Sequence, residues 1–157
     1  MIDLAPFCAT PLSLRFGIQE PWSSGEYTYA TNGHIIVRVA RRLEIPANRH
    51  STNAEKLFDG MKNTGNWLRV PECAKPDDVE CKWCDGTGVD EEEEYCTACD
   101  GTGKTESLEG LVVGNANFQK KYLALIQGWE IVPIGANDPA WIRTDGADGI
   151  LMPRRME

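Results

Sequence analysis

The sequence predicts an α+β protein: an antiparallel sheet with two or so helices, and a small cysteine-rich hairpin inserted into it. Three observations carry this. Short apolar–polar alternations recur between Gly, Asn and Pro, the pattern of half-buried strands joined by turns. Only two stretches show helical spacing. Four of the six cysteines fall in residues 75–106, where three lysines stand against eleven acids. That segment accounts for the whole formal charge of −8, leaving thirteen basic and thirteen acidic residues elsewhere. With 157 residues, 41% of them apolar, the chain has material for one domain and a small appendage.

In order, Leu12 to Ile18 alternates as a strand, and Pro21 and Gly25 punctuate the next stretch. Glu26–Ala30 and His34–Val39 read as strands flanking Asn32-Gly33, a pair that favours a tight hairpin turn. Thr52 and Glu55 have capping-box spacing for a short helix with Leu57, Phe58 and Met61 on its apolar face. Trp67 to Val70 reads as a short strand. Pro71 and Pro76 then bracket the entry to the insert, and Gly110 comes after its exit. Leu111–Val113 is the next strand, and Asn115 or Asn117 caps a helix over 117–127, with Phe118, Tyr122, Leu125 and Ile126 at core spacing. Strands near 129–134, 140–144 and 148–153 complete the chain. The organisation is a discontinuous α+β domain, 1–74 and 107–157, around a metal-binding hairpin at 75–106.

Inside the insert the sequence repeats with a period of 15: Cys81-Lys82-Trp83-Cys84-Asp85-Gly86-Thr87-Gly88, then Cys96-Thr97-Ala98-Cys99-Asp100-Gly101-Thr102-Gly103. Two C-x-x-C pairs offer four thiolates from two tight loops, the donor set of a closed structural zinc site. Glycines after each pair allow positive φ, so that the chain turns beneath the metal and backbone N–H groups face sulfur. With little apolar material beyond Trp83, Val89 and Tyr95, the insert must take its fold largely from the ion. The expectation is one structural zinc on Cys81, Cys84, Cys96 and Cys99. Two alternatives stand beside it. Disulfides need an oxidising compartment, and a thioredoxin-like redox pair needs a βαβ setting. Glu91 to Glu94 read as a solvated tip between the pairs, or as an acidic patch for a basic partner.

The two C-x-x-C-x-G-x-G units resemble the cysteine-rich zinc region of DnaJ-type chaperones, which implies a hairpin-like zinc fold over about 23 residues. No His-Pro-Asp helical segment accompanies them, so chaperone activity is not implied. In the rest of the chain, Ala30-Thr31-Asn32-Gly33-His34 looks like the Ala-Thr-Asp-Gly-His signature of bacterial DNA sliding clamps, the polymerase III beta subunit. The ending Gly149-Ile150-Leu151-Met152-Pro153-Arg154-Arg155 is similar to that family's C-terminal strand, and Val112 to Gly128 fits its last domain. This resemblance implies a DNA-clamp-like fold. It also implies a groove for partner peptides at Thr31, Gly33, His34, Ile36 and Met152, with Leu151 beside it. A clamp protomer repeats such a domain and closes a ring around DNA, whereas this chain has material for one.

No run of apolar residues is long enough to span a membrane, and Met1-Ile2-Asp3-Leu4 opens no secretory signal, so a cytoplasmic protein with no membrane partner is expected. Only His34 and His50 are present, and no nucleophile-elbow, zinc-protease or Walker pattern appears, so no enzyme is expected. Cys8 and Cys73 read as small buried apolar residues, Cys73 being near enough to the insert to act as an alternative ligand. The function expected is a non-enzymatic, zinc-containing, clamp-like binding domain for a protein or peptide, associated with DNA in replication or a mobile element. DNA would meet the main domain through Lys120, Lys121, Arg38, Arg41, Arg42 and Arg49, since the acidic lobe repels phosphate. Encircling DNA would require a homo-oligomer. The alternative is a DnaJ-type zinc module that recognises unfolded chains or nucleic-acid-processing partners, with the clamp likeness confined to structure.

Overall fold

The computed structural model describes residues 1–10, 17–47, 52–60 and 65–155. The strands are β1 (Trp22–Ser24), β2 (Tyr27–Thr31), β3 (Ile35–Ala40), β4 (Leu68–Arg69), β5 (Val79–Glu80), β6 (Lys104–Thr105), β7 (Gly110–Val113), β8 (Ala116–Gln119), β9 (Glu130–Val132), β10 (Ala140–Thr144) and β11 (Ala147–Leu151). The helices are α1 (Thr52–Asp59) and α2 (Lys120–Leu123), the latter continuing as a 3-10 turn, Ala124–Ile126. Seven strands form one sheet in the order β1-β2-β3-β11-β10-β9-β4, with every neighbouring pair antiparallel. The fold is α+β, as the sequence predicts.

Two pairings fix the site. The C-terminal strand β11 lies against β3, from Ile35 opposite Leu151 to Val39 opposite Ala147, which brings the Thr31–His34 loop to the end of the chain. At the far edge β4 pairs with β9, Leu68 opposite Ile131, so the excursion that holds the cysteines leaves and returns at one sheet edge.

Strand alternation sorts the side chains onto two buried faces. Ala30, Ile35, Val37, Ile142 and Leu151 face one way, beneath Phe118, Leu123 and Ile126 of the β7–α2 segment and Leu4 and Phe7 of the N-terminal turn. Tyr29, Ile36, Trp141 and Ile150 face the other way, under Ala54 and Phe58 of α1. Burying a side chain such as Phe58 contributes about 2 to 3 kcal/mol, which holds this short helix in place. On the same face Arg38, opposite Asp148, makes two parallel bonds to its carboxylate, Nε–Oδ1 2.8 Å and Nη2–Oδ2 3.0 Å. Its guanidinium sits 4.2 Å from the Tyr27 ring centre and 4.0 Å from that of Phe58.

Several expectations are corrected. The helix over 117–127 starts only at Lys120, because Ala116–Gln119 pairs with Gly110–Val113 around Gly114, where φ is +63°. Phe118, Tyr122 and Ile126 are buried as expected and Leu123 joins them, while Leu125, in the 3-10 turn, is exposed. The Asn32-Gly33 turn is wider than a two-residue hairpin. The Asn32 carboxamide oxygen accepts from the His34 and Ile35 N–H groups, and the Thr31 hydroxyl donates to the Ile35 carbonyl. Glu55 accepts a hydrogen bond from Ser24, tying α1 to β1, a strand the alternation missed. The strand at 12–18 falls mainly outside the described residues, as do Met61 and Arg49.

Candidate metal centre

Each C-x-x-C unit folds into a knuckle, and the two knuckles share the same glycine and threonine hydrogen bonds. The Gly86 N–H reaches the Cys81 carbonyl (3.2 Å) as Gly101 reaches Cys96 (3.0 Å), and Thr87 and Thr102 bond Cys84 and Cys99 through both N–H and hydroxyl. Asp85 and Asp100 stand in the left-handed region (φ +51° and +54°), a conformation Asp tolerates better than most residues. The chain thus doubles back under each second cysteine. Gly88 then donates to the Cys84 sulfur (3.2 Å) and Gly103 to the Cys99 sulfur (3.3 Å), the backbone donors that the glycine spacing predicts.

The knuckles also clasp each other. The Cys81 N–H donates to the Gly103 carbonyl (2.9 Å), and the Cys96 N–H donates to the Gly88 carbonyl (3.0 Å). At both crossings the backbones are so close that only glycine fits. A Cβ on Gly88 would lie 2.5 Å from the Gly101 carbonyl oxygen, and one on Gly103 would fall on that of Gly86. The β5–β6 pair closes the base of this lobe. Glu91–Glu94 form its exposed tip, where the Asp90 carboxylate accepts from the Glu92 and Glu94 N–H groups.

The four sulfurs lie within 4.8 Å of one another, and all four cysteines are buried. Cys84 and Cys99 sulfurs are 3.7 Å apart. That is far beyond a disulfide, and it matches the edge of about 3.8 Å expected for a tetrahedron of sulfurs about 2.3 Å from zinc. Four buried cysteines are therefore placed to coordinate one metal ion. Burial pushes the Cys84 thiol up, but the Gly88 N–H and the Cys81, Cys99 and Cys96 thiols outweigh it and bring it down to about 6. Burial holds Cys96 up at about 11, and its hydrogen bonds with the Cys99 and Cys84 thiols add to that. Cys73 is not a fifth donor: its sulfur points to the Lys120 carbonyl, and burial pushes its thiol up. Cys8 likewise bonds the Leu4 carbonyl, its thiol raised to about 11 chiefly by burial.

The second candidate site lies on the α1 side of the main sheet. Thr31, Gly33, His34, Ile36 and Met152 line one apolar cavity of about 330 Å³, together with Ile35, Leu57, Pro139 and Ile150. The Met152 N–H bonds the His34 carbonyl (2.9 Å), joining the loop to the C-terminal segment. The His34 ring stacks on Tyr122, centroids 5.6 Å apart. Leu151 does not join them. Alternation along β11 sends it into the opposite core, fully buried, and Ile150 takes its place. Sequence reasoning placed Leu57 on a helix but not at this wall, and gave no signal for Pro139, whose approach is tertiary.

Of the six cations expected to face DNA, the five among the described residues are engaged within the chain, and Arg49 lies outside those residues. Lys120 pairs with Glu109, Lys121 with Glu106 and Arg38 with Asp148, while Arg41 and Arg42 bond the Gly25 and Ile2 carbonyls. Among the described residues no helix is long and apolar enough to cross a membrane. No protein-family model, curated protein or solved structure matches this chain, so the bearing on function comes from the geometry and chemistry of these two sites.

Proposed function

We propose that the chain is a non-enzymatic protein-binding domain that holds an extended apolar peptide, with one structural zinc ion on Cys81, Cys84, Cys96 and Cys99 folding its acidic lobe. The convergence of Thr31, Gly33, His34, Ile36 and Met152 on one apolar cavity carries this reading. A concave apolar surface rimmed by a few polar groups is the usual form of a peptide site, with alternate side chains entering the pocket. These are also the positions that the sliding-clamp resemblance marks. That agreement supports a clamp-like role in which the partner is a protein and any DNA association comes through assembly. Zinc suits four sulfurs at tetrahedral spacing, iron being the other metal of that geometry.

The test is fluorescence anisotropy with labelled, uncharged six-residue peptides carrying Leu and Phe anchors, titrated with the zinc-loaded chain. His34→Ala and Met152→Ala should each weaken binding about tenfold, equivalent to about 1.4 kcal/mol. Unchanged affinity in both variants moves the site elsewhere. Mass measurement under native conditions should show one zinc ion per chain, and size measurement across concentration decides whether the chain self-assembles.

A further inference from the structure

Four of the five tryptophans have an evident structural use. Trp22 stacks on Tyr29, Trp129 faces Phe7, Trp141 meets Phe58 edge-on, and Trp67 carries the Arg143 guanidinium 3.7 Å from its ring centre. Trp83 differs. It is 84% exposed, and no ring, cation or hydrogen-bond partner meets it among the described residues. Tryptophan is seldom left in this state, because so large an apolar surface is costly to hydrate.

The internal repeat shows that the knuckle does not need it. Position 83 corresponds to Ala98 in the second unit, and the glycine and threonine bonds that shape the knuckle are the same with either residue there. The indole is therefore an addition to a loop that alanine already satisfies. Its backbone is anchored on both sides, since the loop that carries it runs between Cys81 and Cys84, two of the four clustered cysteines.

The surroundings specify what would cover it. Between Val79 and Thr105, Glu80, Asp85, Asp90, Glu91, Glu92, Glu93, Glu94 and Asp100 are all exposed, with only Lys82 and Lys104 against them. Four thiolates around a divalent ion would add two further negative charges. Phosphate backbones are repelled by such a field, although a bare indole could otherwise stack on a base. An arginine side chain satisfies both features, since its guanidinium stacks on an indole face while neighbouring cations meet carboxylates.

We propose that Trp83 is the anchor of a docking surface for an arginine-rich segment of a partner protein, with the lobe's carboxylates supplying the complementary charge. The surface is separate from the apolar groove and does not depend on it; it requires only that the lobe be folded around its ion.

The experiment titrates a fluorescein-labelled octa-arginine peptide with the zinc-loaded full chain at 150 mM salt, beside the octa-lysine peptide and a labelled single-stranded thymidine oligonucleotide. Octa-arginine should bind most tightly and shift the Trp83 emission. Trp83→Ala, which copies the second knuckle, should keep one zinc by native mass measurement and weaken octa-arginine binding about tenfold. Equal affinity for wild type and Trp83→Ala reduces the contact to charge alone and overturns the proposal. So does preference for the oligonucleotide, which makes the lobe a nucleic-acid module, or equal binding of arginine and lysine peptides. Loss of zinc from the wild-type lobe would appear in the mass measurement and identifies failure of the metal reading instead. The uncharged groove peptides report separately on the other site.

Discussion

Replacing Gly103 by alanine tests whether the two knuckles must interlock to hold a metal ion, and Gly146→Ala is its internal control. Both glycines have nearly the same backbone, φ +75° at Gly103 and +80° at Gly146. Forcing a side chain into that region costs about 1 to 2 kcal/mol. At Gly146, in the β10–β11 turn, nothing lies within 4 Å of the added Cβ, so this is the whole cost. At Gly103 the Cβ falls on the Gly86 carbonyl. That carbonyl cannot retreat freely, because the Gly86 N–H is bonded to Cys81 and Gly86 stands two residues after Cys84. Gly103 also donates to the Cys99 sulfur and accepts from the Cys81 N–H, so relief of the clash disturbs both. Losing such outer-sphere support weakens metal binding about 10- to 100-fold, or about 1.4 to 2.8 kcal/mol. Competition against a chromophoric chelator measures the affinity, and thermal melting measures the sheet. Gly146→Ala should retain wild-type affinity and lower Tm by about 2 to 8 °C. Gly103→Ala should lose at least tenfold in affinity. Wild-type affinity in Gly103→Ala would refute the claim that the close crossing is required.

Three other outcomes are expected from the same geometry. Chelation of the ion should unfold residues 79–105 while the seven-stranded sheet persists, seen by amide exchange as protection lost in the lobe and kept at Ile142 and Val37; protection retained throughout would show that the lobe folds without metal. Asp148→Asn should destabilise the sheet domain by about 2 to 3 kcal/mol in denaturant melts, below the range for a fully buried pair because both side chains are partly exposed, and Arg38→Lys should not rescue the two-pronged geometry. The hydrogen bond from Lys121 holds the Glu106 carboxyl below its ordinary value of 4.5. Its stabilising effect is therefore fully present above about pH 4.5 and fades as pH falls through the lower folded value, and Glu106→Gln should flatten that acid limb of the stability–pH curve.

The β2–β3 hairpin was legible because two apolar, β-branched or aromatic runs flank Asn32-Gly33; Ile35, Ile36 and Val37 form a continuous apolar run because both faces of β3 are buried. The four metal-site cysteines were legible for a different reason. Zinc-type chemistry demands a short spacing within each pair, and the repeat supplies two copies of one solution. Gly114-Asn115 is a two-residue hairpin signal that pairs Ala116–Gln119 back on β7, but the helical spacing of Phe118, Tyr122 and Ile126 obscured it. What else stayed hidden depended on contacts between distant segments. Leu151 and Ile150 differ in role only through which face of β11 each occupies, a register set by pairing with β3. Trp83 was visible as a residue, but its isolation required knowing that the other four tryptophans had partners.

Charge is where the structure most changes the reading of the sequence. The acidic insert and the lysines of α2 look like two surfaces of opposite sign, one to repel DNA and one to attract it. In the fold they meet. Glu106, just beyond β6, bonds Lys121 at 2.7 Å and lies 3.9 Å from Lys75, while Glu109 bonds Lys120. The base of the lobe thus neutralises the two lysines that α2 would otherwise offer. It also fixes the lobe's root against the helix whose Tyr122 stacks on His34. The carboxylates left outward include Glu80, Asp85, Asp90, Asp100 and Glu91–Glu94, exposed on a lobe whose buried centre is the four cysteines alone. A surface of that sign, with one exposed indole on it, is the ground for proposing a cationic protein segment there instead of nucleic acid, and a partner of different chemistry for the apolar groove on the sheet.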